Sequence, residues 1–133
     1  MLISRQSDYA IRVIRALSDM QVHSAADIER RENVTVAFLY KILKKLEKAG
    51  LVSIIRGPLG GYELAKRCNE FTLFDVISAV DEDFVINECI RDGYECSSRN
   101  TGDCLVHKEF CRVQEMLINE LKNKTMDDVL AQR

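Results

Sequence analysis

The sequence predicts a mainly α-helical fold with one small β-hairpin and a long C-terminal helix. Apolar residues recur at helical spacing along most of the chain, which indicates amphipathic helices. Turn-forming glycine and proline are concentrated in one segment, Gly57–Gly61, which lies between two β-rich runs. With 133 residues and a single proline, the chain has the length of one ordinary domain with an extension.

Capping residues and apolar spacing predict the first two helices. The first runs from Ser4 to about Met20, where apolar side chains recur every three or four residues with arginines between them. Ser24, followed three residues later by Asp27, has capping-box-like chemistry and starts a short helix to about Arg31. A turn then separates this helix from the next one.

Thr35, another residue suited to an N-cap, begins the third helix, and Gly50 follows where helices commonly end. The apolar residues of this helix fall at i, i+3, i+4 and i+7 and predict a buried face: Leu39, Ile42, Leu43 and Leu46. The opposite face is polar and basic: Ala37, Tyr40, Lys41, Lys44, Lys45 and Lys48.

A hairpin is predicted after the third helix. Residues Leu51–Arg56 are β-rich, Gly57–Gly61 is turn material, and Tyr62–Leu64 returns as a second strand. The order helix, turn, helix and hairpin is that of a winged helix-turn-helix. Further along, Thr72 and Asp75 are expected to cap a short helix, and residues 87–103 show no periodicity.

A long amphipathic helix is predicted from Cys104 to about Lys122, roughly 28 Å in length. Its apolar stripe consists of Val106, Phe110, Val113, Leu117 and Leu121. The N-terminal core is too small to cover this stripe, so we expect it to pack against the same helix of a second subunit in a two-fold homodimer. Thr125 is expected to cap a final helical turn.

Charge divides the chain into two halves. Residues 1–67 carry twelve Lys and Arg against seven Asp and Glu, whereas residues 68–133 carry seven against fourteen. A polyanion is therefore expected to meet only the first half, although uneven charge on a merely solvated surface is the alternative. The predicted regions are a winged helix-turn-helix DNA-binding domain at 1–67, a connecting helix and cysteine-containing loop at 68–103, and a dimerisation helix with a C-terminal helical turn at 104–133.

The composition also predicts where the protein works and what it is not. No apolar stretch approaches the roughly 18 residues needed to span a bilayer, so we expect a cytoplasmic protein with no membrane partner. Five cysteines, an odd number, indicate metal binding, redox sensing or packing rather than a disulfide framework. Cys68 is predicted to be structural, and His23, near a turn, to lie on the surface. Neither a phosphate-binding loop nor a Ser-His-Asp arrangement is evident, so no enzyme is expected.

The order of elements in a winged helix-turn-helix predicts which residues contact DNA. In helix-turn-helix proteins the N-terminal residues of the second helix of the motif lie nearest the base edges, and lysines along it contact phosphates. Arg56 stands at the lip of the hairpin, where a guanidinium reaches the backbone or the narrow minor groove. The candidate DNA-binding residues are Thr35, Ala37, Tyr40, Lys41, Lys44, Arg56, Gly57 and Gly60.

Three cysteines and a histidine are candidate metal ligands. Cys89, Cys96 and Cys104 are separated by six and seven residues, which match no common zinc or ferredoxin motif, and three unrelated thiols are the alternative. His107 follows Cys104 by three residues, so the two lie on one helix face about 4.5 Å apart along the axis. Cys111 is roughly 10.5 Å along the axis from Cys104 and is predicted to pack in the dimer interface.

A resemblance to the IscR/NsrR-type family of bacterial winged-helix repressors extends over nearly the whole chain. It rests on the run LVSIIRGPLGGYELAK, then FTLFDVISAVDED, Cys89, Cys96 and CLVH. The resemblance implies a homodimer that binds a near-palindromic operator in double-stranded DNA. It also implies an iron-sulfur cluster near the N-terminus of the dimerisation helix.

The resemblance assigns the ligands of that cluster. In IscR-like members three cysteines and a histidine bind a two-iron, two-sulfur cluster, and the matching positions here are Cys89, Cys96, Cys104 and His107. Asp8 occupies the place where NsrR-like members, which sense nitric oxide, supply a carboxylate from the other subunit to a four-iron, four-sulfur cluster. The two-iron form is favoured, and the fourth ligand stays open between His107 and Asp8.

The resemblance also bears on DNA recognition and on the signal. Thr35 and Arg56 match DNA-contacting positions of the family, whereas Tyr40 stands where IscR-like proteins carry a glutamate that helps to choose between operator classes. We therefore expect a regulator that senses iron-sulfur supply, redox state or nitric oxide through its cluster. The alternatives are a cluster-free regulator that uses zinc or thiol oxidation, and an adaptor that has lost DNA binding.

Overall fold

The structure, a computed structural model, describes residues 2–98 and 103–131. Helices α1 to α6, strands β1 and β2, and two 3-10 helices follow each other within these ranges. In chain order they are α1 Arg5–Ala16, α2 Ala25–Glu32, α3 Val36–Lys48, β1 Val52–Ile55, β2 Gly61–Leu64, a 3-10 helix Cys68–Glu70, α4 Leu73–Val80, a 3-10 helix Glu88–Ile90, α5 Leu105–Lys122 and α6 Met126–Leu130. The predicted fold class, helical with one hairpin and a long helix near the C-terminus, is confirmed.

Serine and threonine side chains begin several helices where the sequence predicts them. The hydroxyls of Ser24, Thr72 and Thr125 each accept a hydrogen bond from the backbone N–H three residues later. At Thr72 and Thr125 an aspartate completes a capping box by accepting from the backbone N–H of the cap residue. These local hydrogen bonds explain why the starts of α2, α4 and α6 are readable from short sequence windows.

Helix α1 is shorter than its apolar spacing predicts. It begins after the Ser4 cap as expected, but its last residue is Ala16 rather than about Met20. Leu17 is the C-cap residue, and the chain then turns, with Met20 in the left-handed region at φ 61°. Leu17 is still fully buried, and apolar periodicity alone does not distinguish a helical residue from a buried residue in the following turn.

The core lies between the first four helices and the hairpin. Helix α1 packs against α2, α3 and α4, and α3 also packs against α4 and β1. The face of α3 predicted to be buried is buried: Leu39, Ile42, Leu43 and Leu46. Met126 of α6 joins this core, and its backbone N–H donates to the Phe71 carbonyl at 2.8 Å. Helix α6 is thereby attached to the segment that precedes α4.

Strands β1 and β2 and their connecting turn form the wing, residues 52–64. The strands are antiparallel, with Ile55 opposite Gly61. The Gly60 N–H donates to the Gly57 carbonyl at 3.0 Å and closes the turn. A Cβ atom on Gly60 would clash with the Ile55 carbonyl oxygen, so the turn requires glycine at that position.

His23 is buried, and the prediction that it lies on the surface is wrong. Its Nδ1 lies 2.6 Å from Asp27 Oδ2, and its Nε2 lies 2.8 Å from Asp19 Oδ2. The His23 backbone also pairs with Tyr62 of β2 through two N–H···O hydrogen bonds of 2.9 and 2.8 Å. The loop between α1 and α2 therefore holds the wing against the helices, because this pairing adds a short third segment to the hairpin.

Helix α5 packs against α4 and against the 3-10 helix Glu88–Ile90, and much of its predicted apolar stripe stays uncovered within one chain. Val106 is 61% exposed, and Val113 is 37% exposed. Within the two described ranges, no helix combines the length and the apolar character that crossing a membrane requires.

Candidate nucleic-acid interface and cysteine-rich site

The face of α3 opposite the core is exposed to solvent. Tyr40 is 52% exposed, and Ala37, Lys41 and Lys44 are also exposed. Thr35 occupies the N-cap position of α3, yet no amide in the described residues donates a capping hydrogen bond to its hydroxyl. The side chains of all the candidate residues at the start and along the outer face of α3 are therefore exposed and free to contact a partner.

The wing lies beside this face of α3. Strand β1 packs against α3. The pKa of Tyr62 in β2 is raised by burial and then by the nearby Tyr40 and Glu47 of α3. Because β1 packs against α3, the strands of the wing are neighbours of that helix, and Tyr62 of β2 lies on the side of Tyr40 and Glu47.

Arg56 and the glycines predicted to contact DNA meet at the free end of the wing. Arg56 directly follows β1 and is exposed. Gly57 has φ 108°, a conformation that residues with a Cβ atom rarely adopt. Gly60 completes the turn. The guanidinium of Arg56 is therefore carried at the start of a tight, glycine-dependent turn, at the end of a wing whose strand β1 packs against α3.

One lysine of α3 has a structural role that the sequence did not indicate. Lys45 Nζ donates to Gln6 Oε1 at 2.8 Å and to the Val80 carbonyl at 3.1 Å. These bonds join α3 to α1 and to the end of α4, so Lys45 differs from Lys41 and Lys44. No local sequence signal separates these lysines, because the partners of Lys45 are distant in sequence.

Asp8 lies on α1, on a different element from the cysteines. Its Oδ2 is 3.1 Å from Arg12 Nη2, and Arg12 Nη1 also donates to the Glu32 carbonyl at 3.1 Å. The Arg12 guanidinium lies 5.6 Å from the centre of the Tyr9 ring. Asp8 is thus half-exposed and lies beside Arg12, which is itself held by the Glu32 carbonyl.

Cys89 is held near α5 by a buried glutamine. It lies in the 3-10 helix Glu88–Ile90, which packs against α5. Just before this helix, Gln114 of α5 donates from Nε2 to the Phe84 carbonyl at 2.7 Å and accepts the Ile86 N–H on Oε1 at 2.9 Å. Both polar ends of Gln114 are therefore used to fix the segment that carries Cys89, a role that sequence reasoning missed.

Cys104 and His107 lie at the start of α5, as predicted. Cys104 is the N-cap residue, and its Sγ accepts the His107 N–H at 3.4 Å. His107 Nε2 in turn lies 3.4 Å from Cys111 Sγ, one turn further along the helix. Cys96 is exposed in the loop between Cys89 and α5. Cys111 is half-buried, and its predicted place in a dimer interface stays a prediction.

The donor atoms of this region match an iron-sulfur centre in kind. Thiolate sulfurs with one imidazole nitrogen form a known iron-sulfur ligand shell. Cys89 is attached to α5, whose first turns carry Cys104 and His107. Over residues 2–98 and 103–131, no three Cys, His, Asp or Glu side chains converge closely enough to enclose a metal ion. The elements that carry Cys89, Cys104 and His107 are thus packed together, whereas Cys96 is exposed in the segment between them.

Cys68 stands apart from this region. It begins the 3-10 helix after the wing and is 8% exposed. Burial, with a contribution from Asp127, raises the pKa of its thiol and so disfavours the reactive thiolate. The structural role predicted for Cys68 agrees with this position.

Comparisons with known proteins identify the family. The model of the Rrf2 family, described as an iron-dependent transcriptional regulator, matches residues 3–132. The HTH-type transcriptional regulator IscR of Pectobacterium carotovorum is 33% identical over 137 residues, which cover 98% of this chain and 79% of that protein.

Solved structures show the same fold. CymR, the global cysteine regulator of B. subtilis, aligns with a TM-score of 0.77 at 21% identity, over 98% of this chain and 97% of that one. IscR of T. potens aligns with a TM-score of 0.75 at 21% identity, over 98% of this chain and 90% of that one. These homologues are named as regulators and not as enzymes. The chain therefore belongs to the Rrf2 family of DNA-binding transcriptional regulators.

Proposed function

We propose that the protein is a homodimeric repressor whose affinity for a DNA operator is set by a bound iron-sulfur cluster. The observation that carries the DNA-binding surface is the exposed outer face of α3 together with the packing of β1, the first strand of the wing, against that helix. The similarity to IscR proteins and the cysteines around the start of α5 support the cluster.

In the proposed complex α3 lies in the major groove, and the wing lies over the adjacent backbone and minor groove. The N-terminal residues of α3 are nearest the base edges, and Lys44, further along, contacts phosphates. The basic first half of the chain favours this orientation, since phosphates repel the acidic second half. The residues proposed to contact DNA are Thr35, Ala37, Tyr40, Lys41, Lys44, Arg56, Gly57 and Gly60.

This surface is tested with exposed side chains. A duplex is first selected from a random-sequence pool with the wild-type protein. Tyr40→Ala and Arg56→Ala are then expected to weaken binding to it by roughly tenfold or more without lowering the melting temperature, since single base contacts contribute about 1–3 kcal/mol. Unchanged affinity for both variants would remove these contacts from the proposal.

Lys44→Ala separates phosphate contacts from base contacts. We expect it to weaken binding on all sequences alike and to lower the slope of log affinity against log salt by about one unit, because one phosphate is no longer neutralised. Lys124→Ala removes the same charge from an exposed site in the acidic half and is the matched control. Equal effects of the two variants would show that only net charge matters.

The cluster is proposed to be held by Cys89, Cys96 and Cys104, with His107 as the fourth ligand in a two-iron, two-sulfur form. Asp8, supplied across the dimer, is the alternative fourth ligand of a four-iron, four-sulfur form. An iron-sulfur centre supplies a redox-active group that oxidants and nitric oxide degrade. The residues named above would hold that group between the segment that carries Cys89 and Cys96 and the start of α5.

The packing of the helices offers a route from the cluster site to DNA. The segment fixed by Gln114 follows α4, and α4 packs against both α1 and α3. Ordering of the loop that carries Cys89 and Cys96 would therefore favour one placement of α4, and with it one placement of α3. A signal that orders or disorders this loop shifts the equilibrium between two dimer conformations that differ in their affinity for the operator.

Anaerobic purification followed by absorption and Mössbauer spectroscopy tests the cluster. The proposal predicts a coloured protein with iron and acid-labile sulfide, and loss of both in Cys89→Ala, Cys96→Ala and Cys104→Ala. Cys68→Ala is the control that should keep its cluster. The Mössbauer spectra of His107→Ala and Asp8→Ala decide which residue is the fourth ligand.

A wild-type sample that lacks iron and sulfide would contradict the cluster and favour a regulator that uses zinc or thiol oxidation. The structural observation behind that second candidate is on α5, where the His107 ring lies 3.4 Å from Cys111 Sγ and the His107 backbone N–H donates to Cys104 Sγ. Zinc content and thiol counts of the same sample would then distinguish its two forms.

A further inference from the structure

Leu59, at the tip of the wing, is 94% exposed, the highest value for a large hydrophobic side chain in the described residues. Leu105, at 73%, is the next and belongs to α5, where a dimer would cover it. A single exposed leucine on an ordinary surface requires no explanation. Leu59 differs because of the rigidity of its turn and the charge beside it.

The turn presents Leu59 in one defined shape. The hydrogen bond from the Gly60 N–H to the Gly57 carbonyl encloses Pro58 and Leu59 as the two central residues of a β-turn. Proline fixes its own φ at about −65°, which removes freedom just before Leu59. After Leu59, the Gly60 N–H is held by the Gly57 carbonyl, and a Cβ atom on Gly60 would clash with the Ile55 carbonyl, so the backbone there packs closely on the end of β1. The leucine is therefore held on a stiff tip and does not fold back onto the protein.

The surroundings of Leu59 indicate a polyanion as its partner. Arg56 is exposed three residues before it, on the same turn. The wing lies next to the exposed face of α3, which carries Lys41 and Lys44. An apolar tip beside an exposed arginine, on a wing that packs against a lysine-bearing helix, matches a nucleic acid, whose base faces are apolar and whose backbone is anionic.

We propose that Leu59 is a wedge that enters the minor groove and inserts between two stacked base pairs, while Arg56 contacts the groove beside it. This inference rests on the proposed DNA-binding function. Proteins that bend DNA from the minor groove insert leucine and similar side chains at a base step and kink the duplex by about 20–90°. Because pyrimidine–purine steps unstack most easily, the preferred operator carries a TA or CA/TG step under each wing.

The first test measures DNA shape. The probe is a duplex selected from a random pool with the wild-type protein, labelled at both ends for energy transfer and carrying 2-aminopurine at the step under the wing. Wild-type protein is expected to shorten the end-to-end distance and to raise the 2-aminopurine fluorescence. Leu59→Ala is expected to lose both signals and about tenfold in affinity, since most of the apolar side chain is no longer buried between the bases.

Matched variants separate wedging from other effects. Leu59→Met keeps a long apolar side chain and is expected to retain bending and affinity. Arg56→Ala is expected to lower the salt dependence of binding, whereas Leu59→Ala leaves it unchanged, because leucine carries no charge. The melting temperature of Leu59→Ala should equal that of the wild type, since the side chain is almost wholly exposed in the fold.

The outcomes distinguish the wedge from the function on which it rests. If wild-type protein selects no sequence from the pool, the proposed DNA-binding function fails. If it selects a sequence, and Leu59→Ala binds and bends that duplex like the wild type, the function stands and the wedge is refuted. Loss of bending in Leu59→Ala with recovery in Leu59→Met supports the wedge.

Discussion

The His23 ring lies between Asp19 and Asp27. Because of this arrangement, the free energy of unfolding depends on pH in the acid range. The hydrogen bond from His23 lowers the pKa of Asp27 against an opposing effect of desolvation, with further lowering from Arg31 and Arg30. A carboxyl group with a lowered pKa in the folded state stabilises the fold while it is ionised. That contribution is present above the ordinary aspartate pKa and is lost as the pH falls through the lower, folded value.

Asp27→Asn removes this contribution. We expect the free energy of unfolding of the wild type to fall more steeply below about pH 4 than that of Asp27→Asn, because only the wild type loses the ionised carboxylate there. Urea unfolding at a series of pH values from neutral to acid measures the difference. Asp92→Asn, in an exposed loop, is the control, and parallel curves for wild type and Asp27→Asn would contradict the assignment.

Single residues also mark the limit of what the sequence predicts. Exposure of Tyr40 and Arg56 follows from the periodicity of α3 and from the turn, which are local features. The burial of His23, the bonds of Lys45 and the role of Gln114 depend on partners in other elements. A short stretch of sequence does not contain these distant partners, so it does not predict the structural roles of such polar residues.

At the level of elements, Gln114 is the connection between α5 and the segment that carries Cys89. Gln114→Ala leaves the Phe84 carbonyl and the Ile86 N–H without these partners in a buried region. We expect a loss of about 1–3 kcal/mol in the free energy of unfolding of the metal-free protein, measured in urea. Glu115→Ala, exposed on the same helix, should change it by less than about 0.5 kcal/mol. Equal values for the two variants would contradict this role.

The attachment of the wing to the loop before α2 is a second property of elements. A Cβ atom on Gly61 would clash with the backbone of His23, so Gly61→Ala is expected to separate β2 from that loop. DNA affinity and the hydrogen-exchange protection of the Tyr62 amide should fall, while the helical content stays unchanged. Gly93→Ala, at φ 78° with open space around it, tests backbone strain alone. Retained protection at Tyr62 in Gly61→Ala would contradict the attachment.

Most elements were predictable because their signals are local. Caps at Ser24, Thr72 and Thr125 and the turn at Gly57–Gly61 give the order of helices and hairpin. The 3-10 helix Glu88–Ile90 was not predicted, because one turn of three residues has no measurable periodicity. The end of α1 was placed too late because buried residues continue beyond the last helical turn.

At the scale of the whole molecule, the uncovered stripe of α5 predicts a dimer. Val113→Glu places a charge in the proposed interface and is expected to raise the dimer dissociation constant by tenfold or more, measured by sedimentation equilibrium. Asn119→Glu adds the same charge to an exposed site off the stripe and should leave the dimer intact. A wild-type protein that sediments as a monomer at micromolar concentration would contradict the interface.

Two predictions about the whole molecule, the domain boundaries and the cluster ligands, depend on more than local sequence patterns. The division at residues 67 and 103 stays a prediction, as does the assignment of the cluster ligands. Residues 99–102, which the predicted cysteine loop includes, lie outside the described residues. In the proposed dimer, ligand geometry would depend on contacts between distant parts of the chain and on the second subunit, and neither spacing nor composition encodes such contacts.

Hydroxyl-radical footprinting of a selected duplex tests the central claim most directly, that two copies of the α3 and wing surface hold one operator. The account predicts two sets of protected sugars related by two-fold symmetry, with centres about 10–10.5 base pairs or a multiple of that distance apart. At a protein concentration near the wild-type dissociation constant, both sets should weaken together in Tyr40→Ala. A single unsymmetrical set, or protection that persists in Tyr40→Ala and Arg56→Ala alike, would contradict the account.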